Sequence, residues 1–114
     1  MDIWHNPRCS KSRQTLALIQ ENGIEPNIRL YLEVPPTAVE LKSTLAMLGI
    51  SARELLRKGE EDYKVNGLSD ASLSDKALIT AMIQSPKLIE RPIVISKGKA
   101  VLGRPPENVL TLLK

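Results

Sequence analysis

The chain has 114 residues, 16 lysines and arginines against 13 aspartates and glutamates, a net charge of +3, and a single cysteine. That length supports one hydrophobic core without metal or disulfide staples, a lone cysteine excludes an internal disulfide, and no apolar run approaches the roughly 20 residues that span a bilayer. The basic residues are scattered, and Trp4, Tyr31 and Tyr63 do not interleave with them to stack bases, so a small anionic ligand is expected rather than nucleic acid.

Asp2-Ile3-Trp4 reads as a short buried strand leading into a turn at His5 to Cys9. From Ser10, Leu16, Leu18 and Ile19 mark a helix that stops at Asn22-Gly23. Ile28, Leu30 and Leu32 alternate with Arg29 and Tyr31, which predicts a second strand and a parallel βαβ unit. After Pro35-Pro36, Thr37 to Glu40 has capping-box spacing before Leu41, Leu45 and Leu48, with Gly49 as the stop. Ser51 to Glu54 repeats the device for a shorter helix. Lys58 to Ser74 is polar and reads as loop with some helical turns. A helix from about Ser74 carries Leu78, Ile79, Met82 and Ile83 and ends at Ser85-Pro86. Pro92 to Ile95 and Ala100 to Leu102, joined by Ser96-Lys97-Gly98-Lys99, predict an antiparallel hairpin. Pro105-Pro106-Glu107 opens a last helix with Val109, Leu110 and Leu113.

Cys9 sits in the turn between the first strand and the first helix. A lone cysteine is commonly a small buried hydrophobe, but His5, Arg8, Lys11 and Arg13 surround this one, and a helix N-terminus offers unpaired N–H groups that favour a thiolate. Cys9 is therefore a candidate nucleophile. Ser12 stands where a dithiol protein would carry its second cysteine, so an adduct on Cys9 needs an outside thiol to resolve it. Arg13, one helical turn on, is either a surface charge or a guanidinium that reaches back to the turn. His5 either caps the turn or tunes the thiol. A phosphatase loop of spacing C-x5-R is excluded, because position 15 is Thr15. No metal site is expected, since His5 and Cys9 are the only strong nitrogen and sulfur ligands.

The element order is similar to the thioredoxin-like layout: an α/β fold with a mixed four-stranded sheet flanked by helices, here with a helical insertion between the second and third strands. On that likeness residues 1–114 form a single domain with the insertion over about 34–90, and Arg91-Pro92 takes the position of a cis-proline turned toward the thiol.

The motif His5-Asn6-Pro7-x-Cys9-x-x-Ser12-Arg13 resembles that of the glutathione- and glutaredoxin-coupled arsenate reductases, the ArsC family, and in particular its YfgD-type branch. Tyr31-Leu32-Glu33, Ile50 to Arg57, Glu90 to Val94 and Gly103-Arg104-Pro105-Pro106 extend the likeness over nearly the whole chain. The resemblance implies an oxidoreductase in which Cys9 attacks arsenate, Arg57, Arg91 and Arg104 bind the oxyanion, and His5, Ser12, Arg13 and Pro92 support the site. It also implies glutathione as co-substrate, a glutaredoxin as partner, and no bound cofactor. Guanidinium groups suit this task because they stay charged, match tetrahedral oxyanions and offset the repulsion between thiolate and anion.

The same thiolate and pocket also suit another oxyanion or glutathione mixed disulfides. Spx-like regulators of this fold carry a Cys-x-x-Cys switch that Ser12 removes here. Without a secretory leader pattern the expected compartment is the cytoplasm, and with no unassigned apolar stripe the expected state is a monomer.

Overall fold

The computed structural model describes residues 1–113, which fall into two compact units: Met1–Val34 with the chain from Arg91 onward, and Pro35–Glu90. In the first unit β1 (Asp2–Trp4), β2 (Asn27–Arg29), β3 (Ile93–Ser96) and β4 (Lys99–Leu102) form one sheet in the order β2-β1-β3-β4. β1 runs parallel to β2 across helix α1 (Ser10–Glu21), while β3 is antiparallel to both β1 and β4. Ile3 pairs with Val94 in the register of β1 and β3. Both are fully buried and cluster with Ile19 of α1 and Val109. Each such side chain contributes on the order of 1.5–3 kcal/mol by leaving water.

The mixed sheet and its connections match the α/β layout expected from the sequence, with two corrections in this unit. β2 ends at Arg29 and does not continue to Leu32. Its only neighbour, β1, stops at Trp4, and the His5 N–H makes the last ladder bond to Arg29 O at 2.8 Å. The chain then turns, with the Glu33 and Val34 N–H groups both on Leu30 O at 2.9 Å. Past the turn Tyr31 is buried, while Ile28 is 49% exposed on the edge strand. The last segment, Pro106–Leu112, is a 3₁₀ helix. A three-residue period lines up Pro106, Val109 and Leu112 on one edge, and the Asn108 side chain donates to Leu102 O and Arg104 O, each at 3.1 Å.

The second unit is helical: α2 (Ala38–Leu48), α3 (Ala52–Leu55), α4 (Glu61–Val65), α5 (Asp75–Gln84) and a 3₁₀ turn at Pro86–Leu88. Both capping boxes are present, Thr37 with Glu40 and Ser51 with Glu54. Gly49 ends α2 in the left-handed region at φ 70°. α5 packs against α2, α3 and the 3₁₀ turn, burying Leu41, Leu45, Leu55, Leu78, Met82 and Leu88. Among the described residues no helix is long and apolar enough to cross a membrane.

Candidate active site

Five residues, His5 to Cys9, carry the chain from β1 to α1. Cys9 is the N-cap of α1, with extended backbone (φ −94°, ψ 122°). Its N–H donates to Asn6 O at 3.0 Å, and its carbonyl accepts the Arg13 N–H at 3.0 Å. Asn6 Oδ1 takes the Arg8 N–H at 3.0 Å, which tightens the turn. Arg13 Nη1 donates to Pro7 O at 2.8 Å, so this guanidinium reaches back to the turn.

Ser12 holds the loop from within. Its hydroxyl, fully buried, accepts the Asn6 N–H at 3.0 Å and lies 2.6 Å from His5 Nδ1. The hydroxyl therefore joins the Asn6 backbone to the imidazole. Burial lowers the pKa of His5, and the charge of Arg13 lowers it further, so both favour the neutral ring.

The Cys9 thiol is buried, and burial pushes its pKa up. The Ser12 N–H, the charge of Arg91, the Lys11 N–H and a hydrogen bond from the Arg91 guanidinium together outweigh it, so the thiol ionises below its ordinary range. No acid in the first turn of α1 opposes them. The helix supplies fixed N–H donors and the arginine supplies charge, so the sulfur is poised as a thiolate.

Arg91 enters this site from the residue before β3. The Arg91-Pro92 peptide is cis, as the thioredoxin-like layout implies, and Arg104-Pro105 is also cis. Arg104 Nη1 donates to Arg91 O at 3.5 Å, so Arg91 and Arg104 come together. Arg57 belongs to the helical unit. There its guanidinium forms an ion pair with Glu60 at 2.6 Å, lies 4.0 Å from Glu90, and donates to Lys87 O at 3.3 Å.

Thr15 and Gly103 escaped the reading of the sequence. Thr15 Oγ1 donates to Lys11 O at 2.8 Å and lies 3.3 Å from Gly103 O, while the Gly103 N–H donates to Pro92 O at 2.9 Å. A glycine beside an arginine and two prolines signals close backbone approach; nothing in the sequence marks Thr15. Among the described residues no group of three His, Cys, Asp or Glu side chains could hold a metal ion.

A mixed four-stranded sheet with a thiol after its first strand and a cis-proline before its third defines a thioredoxin-like protein. Within that class the chain belongs to the ArsC family, whose pattern it matches over residues 4–112. It is 58% identical over 112 residues to the Escherichia coli K12 protein YfgD, described as uncharacterized, covering 97% of this chain and 94% of that one. It is 46% identical to an arsenate reductase of Neisseria meningitidis serogroup A, covering 97% and 96%. The solved structure of an arsenate reductase from Vibrio cholerae superposes with a TM-score of 0.94 at 52% identity, covering 97% of each chain.

Proposed function

We propose that this protein reduces arsenate to arsenite, with Cys9 as nucleophile and glutathione and a glutaredoxin as the reducing thiols. The observation that carries the proposal is the place of the thiol: Cys9 caps the N-terminus of α1, where the helix N–H groups and the charge of Arg91 hold its pKa below the ordinary range, in a chain with no second thiol. Membership of a family that includes arsenate reductases supplies the substrate class.

Arsenate and a thiolate are both anions, so their encounter needs positive charge already in place. Arg91 and Arg104 supply it and orient the tetrahedral oxygens, and the helix N–H groups add donors that cost no reorganisation. Cys9 sulfur bonds to arsenic(V), and a protonated oxygen leaves as water. The glutathione thiol displaces a second oxygen, again as water. A glutaredoxin thiolate then attacks the glutathione sulfur. The electron pair of the sulfur–arsenic bond stays on arsenic, which becomes arsenic(III), and the mixed disulfide departs. Water takes the place of Cys9 on arsenic, releasing arsenite and restoring the thiolate. Arg91 holds the returning thiolate as it held the first one.

The test is arsenate-dependent NADPH oxidation by the purified protein with glutathione, glutathione reductase and a glutaredoxin, beside Cys9→Ser. Turnover that the mutant lacks is the expected result. No turnover with arsenate, while Cys9 still alkylates rapidly at neutral pH, ends the arsenate reading.

A further inference from the structure

Cys9 caps α1, so the Ser12 N–H, third in the helix, is one of the unpaired donors at its start and favours the thiolate, and the carbonyl of that same peptide unit is the Lys11 C=O. Thr15 acts on this carbonyl. Its side chain is fully buried and its hydroxyl donates to Lys11 O at 2.8 Å. A donor on the carbonyl side of a peptide polarises it and strengthens the N–H on the other side, by about 10–30% per bond. Threonines within helices often bond the carbonyl four residues back with little effect beyond the helix. Here the polarised peptide lies in the first turn behind the Cys9 cap, where its N–H favours the thiolate.

The second acceptor sets Thr15 further apart. Gly103 O lies 3.3 Å from the same hydroxyl, so one proton serves the first turn of α1 and the exit of β4. Gly103 passes the connection on through its N–H to Pro92 O at 2.9 Å. Pro92 directly follows Arg91, whose charge favours the Cys9 thiolate. The contact is too close for any side chain at position 103: a Cβ there would strike the Thr15 hydroxyl first, and would lie 2.7 Å from Pro92 Cγ and 2.9 Å from Thr15 Cγ2.

We propose that Thr15 is a positioning residue for the Cys9 thiolate: its hydroxyl polarises the Lys11–Ser12 peptide that faces the sulfur and, through Gly103 and Pro92, keeps Arg91 in register with that peptide. The inference rests on Cys9 as the reactive thiolate of the preceding section, but not on arsenate as its substrate.

The experiment is the pH dependence of Cys9 alkylation by iodoacetamide, without arsenate, in wild type, Thr15→Val, Thr15→Ser and Gly103→Ala, with circular dichroism and a urea transition to establish folding. Valine keeps the branched shape and loses the hydroxyl. The charged groups around the thiol, Arg91, His5, Arg8, Lys11, Arg13 and Arg104, are unchanged in every variant. The expected rise in the alkylation midpoint of Thr15→Val is a few tenths of a pH unit, the scale of a 10–30% loss on a charge-assisted hydrogen bond. Thr15→Ser restores the wild-type midpoint, and Gly103→Ala raises it by displacing the Thr15 hydroxyl and Pro92. A folded Thr15→Val that titrates like wild type overturns the proposal, as does a wild-type midpoint in Gly103→Ala or a serine variant that titrates like valine. A purely structural role for Thr15 lowers the urea midpoint and leaves the titration where it was. Alkylation that follows the expected order in a protein that turns over no arsenate supports this inference while ending the substrate reading.

Discussion

Replacing Arg91 by alanine removes a positive charge and a hydrogen bond from the Cys9 sulfur while leaving the Ser12 and Lys11 N–H groups in place. A hydrogen bond to a charged group is worth about 1.5–3 kcal/mol. At 1.36 kcal/mol per pH unit this raises the ionisation midpoint of Cys9 by about 1–2 pH units. Burial, which already opposes the thiolate, is then countered by neutral donors alone. The same group links stability to pH. Between the lowered midpoint and the ordinary thiol range, the folded chain has given up a proton that the unfolded chain keeps, so stability rises with pH there. The gain persists above that range and is lost as pH falls through the folded midpoint. Arg91→Ala narrows the interval and shrinks the gain. Iodoacetamide rates from about pH 5 to 10 give the midpoint, and urea transitions at several pH values, each compared with Cys9→Ser, give the linked stability. A midpoint that moves by less than about half a pH unit refutes the assignment of Arg91 to the sulfur. So does a stability profile that does not differ between wild type and Cys9→Ser.

Ser12→Ala leaves the Asn6 N–H and His5 Nδ1 without the hydroxyl that joins them. With one buried and one half-buried polar group unsatisfied, the expected loss is about 1–3 kcal/mol in a urea transition, and a loss below about 0.5 kcal/mol would show that the pair does not hold the loop. Gly49→Ala isolates a backbone cost. A Cβ at that position meets nothing within 4 Å, yet φ is +70°, so the variant loses about 1 kcal/mol through conformation alone, measured in the same way. No change there would contradict the left-handed cap.

Much of the fold was legible because its signals are local. The two capping boxes, the stop at Gly49 and the Ser96 to Lys99 turn are each written within four residues, and all lie where expected. β2 was misjudged because alternation in the sequence does not record where a strand ends. How far β2 runs depends on how far β1 runs alongside, and β1 ends at Trp4. The 3₁₀ form of the last segment was hidden for a related reason, since Val109 and its apolar neighbours suit a helix of either pitch. At the candidate site, the place of Cys9 on the N-cap followed from its neighbours. The approach of Arg91 to the sulfur is a tertiary fact that no spacing encodes; only the resemblance to a family pointed to it. Thr15 was invisible altogether, because its partner Gly103 is 88 residues away and a threonine on a helix carries no signal of its own.

The hydroxyl of Ser12 also bears on how a protein of this kind could change its chemistry. Sulfur is a weak donor and a weak acceptor, so a cysteine at position 12 could not replace the bonds to Asn6 and His5 with bonds of equal strength. Acquiring a second thiol would therefore require the loop to find new support at the same time. The single thiol is thus matched by the scaffold of the loop as well as by the sulfur count, and the route from one thiol to two is longer than a single codon.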